Sequence, residues 1–498
     1  MLTSACGNGK WLTGEKRGIF LMPNNNKLRL TVLSEEQIKS IHEATVDVLE
    51  NTGVIVDTPE AVDLLRENGA RIKGNNVCLP EDLLNTALKT APDRIFLYDR
   101  KGEKRLEVGG DNVYFGGWVE NLYIYDPKIE KLRPPVLDDL EYTAAVCDRA
   151  ANIDWLSWAG QVSDVPPPIR DSMIFRKILN YTVKPYVTTT TDENALKDII
   201  DMAAVVLGGY EELKAKPFIA NASEPISPLH LSDTGVKKLL MCAEYGIPIC
   251  YYPMPAAGST APCFPAGPLV IGNAEVLAGL VIHQLFSPGA PFIYGNIPGM
   301  MDMKTTVVSY GAPELILCLS AIADLGHWYN LPVYGTAGCG DSMEIDGQLG
   351  VEYALTIQNA LLSRANLVHD PGILGAGVLG GAQAIVFADE IIGMAKHITC
   401  GIEISPGTLA VDTIHEIGPR GNYLTHKSTV NNYRSFWYPD AFVREPAQAW
   451  LNKKDKPDLR ARLKSRADEL AAGHIKQPLG KDVEADLKKL EIEIKKRV

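Results

Sequence analysis

From about residue 137 onward, two kinds of segment alternate along the chain. Short, continuous apolar runs end in Gly, Pro or Asn, and longer stretches place apolar side chains three and four residues apart. The runs predict buried strands at 155–158, 186–190, 218–221, 249–252, 292–294, 332–334 and 367–368. The spaced stretches between them, such as 231–245 and 312–329, predict helices. Strand, loop, helix repeated in this way is the unit of a parallel β/α barrel closed by right-handed crossovers. Seven strands are assigned in this way and the eighth is left open. Before residue 137 the pattern differs. Residues 1–29 lack periodicity and read as a loose arm. Ser34 caps a helix that ends before Gly53, two short helices follow at 59–68 and 80–90, and strands are expected at 95–97, 106–108 and 113–115.

The fold expected is therefore α/β, a TIM-type (β/α)8 barrel. Its expected divisions are an N-terminal arm and α+β subdomain at 1–135, the barrel at 136–450, and a charged helical tail at 451–498 that is either solvated or bridges subunits. In such barrels the loops after the strands carry the chemistry, so 295–310 and 335–346 should line one site.

Composition narrows the function. The net charge of −12 argues against a nucleic-acid partner and suits a cationic substrate or simple solubility. Nine scattered cysteines, with no C-x-x-C and no Cys/His cluster, point to a reducing compartment without disulfides or a structural metal. No signal-peptide pattern or uninterrupted apolar run of about 20 residues is present. A cytoplasmic protein with no membrane partner is expected.

Several motifs then resemble one family. They are Y-G-A-P-E at 310–314, L-P-V-Y-G-T-A-G-C-G-D-S-M at 331–343 and D-G-Q at 346–348. A-G-S-T-A-P at 257–262, G-N-A-E-V-L-A-G at 272–279 and the series Pro439, Arg444, Trp450 agree with them. Together they are similar to the trimethylamine methyltransferase family, from about residue 33 to the C-terminus. The resemblance implies that the chain binds no cofactor of its own. It presents an amine to the reduced cobalt of a corrinoid (cobalamin) carried by a partner protein. Trimethylamine enzymes of the family carry pyrrolysine in the segment matching 334–341, where this chain has Y-G-T-A-G-C-G-D, with Cys339 or Gly340 at the replaced position. A quaternary amine already has the positive charge that makes a neutral amine leave, so the departure points to glycine betaine. Proline betaine, carnitine, γ-butyrobetaine and a non-catalytic betaine-binding homologue stay open. A homo-oligomer is expected.

Candidate site residues follow from strand ends and motifs. A cage for a quaternary ammonium is expected from aromatic faces, with Tyr252, Tyr294 and Tyr334 at strand ends and Trp118 as a lid from the N-terminal piece. His369 and Asn221 end strands and are candidates for the substrate's polar end. Glu314 is either a helix-dipole carboxylate or a catalytic group facing the cation. Asp341 is either a turn residue or a second catalytic carboxylate. Cys339 has no adjacent base and reads as a small loop residue. The G-x-G-x-x-G at Gly375, Gly377 and Gly380 lacks the second strand and distant acid of a dinucleotide site, and reads as a tight loop over the barrel mouth.

Overall fold

The computed structural model describes residues 28–117, 121–126, 131–158 and 161–498. Eight parallel strands close into a barrel: β1 (Tyr114–Gly117), β2 (Trp155–Trp158), β3 (Tyr186–Thr189), β4 (Ile219–Ser223), β5 (Ile249–Tyr251), β6 (Phe292–Gly295), β7 (Val333–Thr336) and β8 (Leu367–His369). They neighbour one another in sequence order, and β8 pairs back to β1 through Leu367–Tyr114 and Val368–Phe115. The first strand is thus the one assigned from sequence to the N-terminal subdomain, and the barrel begins before residue 135. One long helix follows each strand: α1 (Asp139–Arg149), α2 (Arg170–Ile178), α3 (Glu193–Leu207), α4 (Asp233–Tyr245), α5 (Ala266–Phe286), α6 (Pro313–Trp328), α7 (Gly347–Ser363) and α8 (Ala382–Thr399).

The N-terminal piece has two jobs. Its helices Glu35–Asp47 and Glu81–Thr90 pack on the outer side of α5. That cover explains why α5 is apolar around nearly its whole circumference, since a helix apolar on all faces must be buried on all faces. The hairpin of Ile95–Tyr98 and Lys104–Val108 plugs the end of the barrel where the strands begin. Its Ile95, Leu97, Leu106 and Val108 join one core with the lumen residues Trp155, Val187, Ala220 and Leu367. Ser34 caps the first helix with the expected reciprocal bonds to Gln37. Residues 1–27 and Trp118 lie outside the described residues.

The C-terminal helices are part of the barrel wall. Leu463, Ala467 and Leu470 of Leu459–Ala472 are buried against α1 and α8, and Leu487 and Ile494 of Lys481–Lys495 against α2 and α3. Arg497 closes the chain with two 2.7 Å bonds to Asp198 on α3. A solvated or subunit-bridging pair does not describe them, because their apolar stripes have a cover within the same chain.

Alternation along the strands sorts the expected site residues. On β6, Ile293 faces the lumen, so Tyr294 faces the helix layer. There its hydroxyl donates to Asn273 Oδ1 at 2.9 Å, and Asn273 Nδ2 donates to Thr45 and Tyr329, both at 2.9 Å. Tyr294 is a core tyrosine and cannot belong to a cage. Tyr294→Phe leaves the Asn273 carbonyl buried and unpaired, which costs about 1–3 kcal/mol. The expected result is a Tm lower by several degrees with substrate affinity unchanged, measured by calorimetry on the same preparation.

Candidate active site

The site is built at the strand C-terminal ends. On β5, Cys250 faces inward and Tyr251 packs outward on α5. Tyr252, the next residue, returns to the lumen. Tyr334 of β7 and His369 of β8 also point inward. The three rings pack together: Tyr334 and His369 stack with centroids 4.5 Å apart and planes at 14°, and Tyr252 lies 5.0 Å from Tyr334 and 5.5 Å from His369. Gly295 makes this meeting possible. A Cβ there would stand 2.8 Å from Tyr252 Cβ and 3.2 Å from Tyr334 Cβ.

Around the rings, polar groups are either tightly held or left open. Asp370 accepts from His369 Nδ1 at 2.5 Å and from Thr336 Oγ1, which fixes the imidazole. A proton is thereby held on Nδ1, so Nε2 accepts when the ring is neutral and donates when it is protonated. Both His369 Nε2 and the Tyr334 hydroxyl are buried without a hydrogen-bond partner among the described residues. The same is true of Ser157 Oγ on β2 and Thr189 Oγ1 on β3, at inward positions two residues beyond Trp155 and Val187. Buried polar atoms normally find partners, so a group of open ones on a barrel lumen marks where a ligand's polar atoms go.

Glu224 completes the site and was not among the expected residues. It is open to solvent, although protein surrounds it on nearly all sides. Burial pushes its carboxyl above the ordinary range, against the opposing effects of a hydrogen bond from Tyr252 and of the nearby His369 and Lys238. The signal for it lay in the alternation itself: Ala220 and Ala222 face inward, and the next position in step is Glu224. Sequence reasoning stopped at the strand's last apolar residue and took Asn221 instead. Asn221 faces the helix layer, where its Oδ1 accepts from Thr188 Oγ1 at 2.9 Å. From α5, Glu275 accepts from Leu229 N at 2.6 Å and Ser227 Oγ at 2.8 Å, anchoring the loop that begins at Glu224. Burial raises the Glu275 carboxyl to about 7.

The two expected carboxylates, Asp341 and Glu314, differ in their surroundings. Asp341 accepts from Tyr310 N at 2.7 Å, Gly311 N at 3.2 Å and Ser309 Oγ, tying the loop after β6 to the loop after β7. Glu352 of α7 accepts in turn from Asp341 N at 2.9 Å and Ser342 N at 3.3 Å. Gly340 lets that carboxylate in, since a Cβ there would fall 2.3 Å from it. The turn reading of Asp341 describes this geometry, because its oxygens are spent on the neighbouring loop. Glu314 is exposed on the first turn of α6, with no hydrogen bond or ion pair to any described residue. Cys339 is buried, and burial drives its thiol well above the ordinary range, so it holds its proton. Gly375 and Gly377 form a turn between Ile373–Leu374 and Leu379–Gly380, packed on Met343 and Tyr310 of the same two loops. Among the described residues, no group of three or more His, Cys, Asp or Glu side chains is placed to hold a metal ion.

Comparison with known proteins agrees with this architecture. The model of the trimethylamine methyltransferase (MTTB) family matches residues 14–497. Glycine betaine methyltransferase of Desulfitobacterium hafniense (strain Y51) is 30% identical over 470 residues, covering 94% of this chain and 96% of that protein. Trimethylamine methyltransferase MttB2 of Methanosarcina mazei is 32% identical over 482 residues, covering 93% and 94%. The crystal structure of the monomethylamine methyltransferase MtmB of Methanosarcina barkeri superposes with a TM-score of 0.51 over 92% of this chain and 89% of that one. At 11% identity it speaks for the barrel fold alone. The full-length family match and the end-to-end relatives make this chain a methyltransferase of the trimethylamine methyltransferase family.

Proposed function

We propose that the chain takes a methyl group from a quaternary ammonium zwitterion, glycine betaine first, for transfer to a corrinoid on a partner protein. The observation that carries this reading is the meeting of two unlike sets of groups at the strand ends. The Tyr252 and Tyr334 rings, 5.0 Å apart, and the Glu224 carboxylate suit a methylated cation. His369 Nε2 and the Tyr334 hydroxyl, both without partners among the described residues, suit an acidic group. Tyr252, Tyr334, His369 and Glu224 are the substrate-binding residues of the proposal. Trp118 as a lid, and Glu314 as a carboxylate facing the mouth, stay part of it as proposals.

The acceptor, reduced corrinoid cobalt, supplies the nucleophile. This chain's task is to bind and orient the donor. When the methyl leaves, the C–N electron pair remains on nitrogen and the amine departs neutral, so a quaternary donor needs no prior activation. The segment 334–341, composed only of standard residues, supports such a donor. Because the positive charge on nitrogen disappears during transfer, Glu224 and the rings must hold the cation without favouring it over the transition state. A carboxyl whose ionisation burial opposes meets that need better than a freely solvated anion. Around the mouth, Phe264, Met303, Val307 and Met343 are exposed on the covering loops. An apolar, methionine-rich rim suits the docking of a partner protein.

With free cob(I)alamin as acceptor, glycine betaine should give methylated cobalamin, followed by absorbance, while trimethylamine gives none. Turnover of trimethylamine without that of any quaternary amine would overturn the proposal. His369→Ala should weaken glycine betaine by roughly ten- to a hundredfold, the worth of a charge-assisted hydrogen bond. Tetramethylammonium, which lacks the carboxylate, should be nearly unaffected. Calorimetric titration with both ligands decides; equal losses would make His369 structural. The third prediction concerns pH. Below its raised pKa, Glu224 is neutral and attracts no cation; a bound cation favours the ionised form and expels the proton. Tetramethylammonium should therefore bind more tightly as pH rises through and beyond the ordinary carboxylate range, and Glu224→Gln should flatten the slope. A slope unchanged in that variant would assign the titration to another group.

A further inference from the structure

Helix α4 carries a lysine on its inner side. Lys238 is buried there with Val236, Leu239, Cys242 and Ala243. An ammonium taken out of water is costly unless polar atoms and opposite charge replace the water. The ends of β3 and β4 supply the polar atoms. Lys238 Nζ donates to Thr190 O at 2.8 Å, one residue past the end of β3. Thr188 Oγ1 and Thr190 Oγ1 donate to Asn221 Oδ1 at 2.9 and 3.5 Å. Asn221 Nδ2 and Ser223 Oγ, on the helix side of β4, are buried without a hydrogen-bond partner among the described residues. Register brings a carboxylate to the same place. Thr188 and Thr189 pair with Asn221 and Ala222, so the next step sets Thr190 against Ser223, one residue short of Glu224. On the helix, Gly235 is pressed to the Glu224 backbone, since a Cβ there would lie 3.2 Å from Glu224 O. Lys238 follows Gly235 by three residues and shares its face, one turn on.

We infer that Lys238 is a positioning residue whose ammonium is the fixed counter-charge of Glu224, governing when that carboxylate forms and how tightly it holds a cation. The inference rests on the reading of Glu224 as the carboxylate that faces the substrate's cation. The groups around Glu224 act on it in different directions. Burial raises its carboxyl; the Tyr252 hydroxyl from the end of β5, His369 of β8 and Lys238 of α4 lower it, and Asp370 beside His369 raises it. For a cationic ligand the lysine then has two effects of opposite sign. By favouring the carboxylate, it lets cation binding begin at lower pH. By repelling the cation, it weakens binding once the carboxylate has formed. A cation held too tightly would slow a reaction in which its charge disappears, because the ground state would gain more than the transition state. The counter-charge therefore serves turnover as well as binding.

The test is calorimetric titration of the full chain with tetramethylammonium across a pH series. Lys238→Gln keeps a donor for Thr190 O and removes the charge; Lys238→Met removes both. Each should move the rise in affinity upward by about one pH unit or more, the effect of one opposite charge on a carboxylate. On the plateau above that rise, each should bind the cation several-fold more tightly than wild type, so that the curves cross. Lys238→Arg should restore the wild-type profile. A lost packing contact would weaken binding at every pH and produce no crossing. In the Glu224→Gln background, which has no carboxyl to titrate, Lys238→Gln should cause no pH shift. Parallel curves, an Arg variant that follows the neutral ones, or a shift that persists beside Glu224→Gln would overturn the inference alone. A wild-type slope that survives Glu224→Gln would instead overturn the reading of Glu224, and the inference with it.

Discussion

Closing eight short strands into a barrel leaves each strand residue two destinations, the lumen or the helix layer, in strict alternation. Everything functional here follows from which residues fall in the inward register. Tyr252, Tyr334, His369 and Glu224 take it; Tyr251, Tyr294 and Asn221 take the other. A displacement of one position in any strand would exchange a ligand-facing ring for a core ring, and the two sets are chemically alike. The tight packing on both faces holds the register: Tyr294 is locked by Asn273 outside, while Gly295 leaves room for Tyr252 and Tyr334 inside.

Carboxylates hold what the strands alone cannot. Asp341 and Glu352 fasten the loops after β6 and β7, Glu275 anchors the loop after β4, and Asp324 accepts from Val32 N and Leu33 N where the chain enters the N-terminal piece. Each takes backbone or hydroxyl donors that a loop would otherwise leave to water. Much of the acidic character near the mouth is therefore structural. The carboxylates beside the inward-facing rings are fewer: Glu224, with its raised carboxyl, and the Asp370 that orients His369. This economy suits the proposed reaction, in which the substrate's positive charge vanishes.

The barrel could be read from the sequence because its signal is local. Apolar runs between helical stretches recur along the chain, and Ser34, Gly53 and Pro313 mark helix boundaries through their own backbone preferences. The motifs around residues 310–348 were equally local and led to the family. The first strand was expected at 113–115, but its place in the barrel escaped, because Tyr114–Gly117 is short, half glycine, and preceded by a hairpin instead of a helix. Only its pairing with β2 and β8 makes it a barrel strand.

Side-chain direction lay beyond the sequence for a physical reason. Tyr294 and Tyr334 both come near the end of an apolar run with glycine next, and nothing within the run distinguishes them. Their opposite faces are set by register across the closed barrel, which depends on all eight strands together. The sequence therefore determined that aromatic rings, a histidine and carboxylates would stand at strand ends in a barrel of this family. The tertiary structure alone decided that Tyr252, Tyr334 and His369 meet while Tyr294 does not, that Glu224 stands beside them, and that Asp341 is spent on a loop. Each of those outcomes rests on contacts between residues far apart in the chain, where no local pattern reaches.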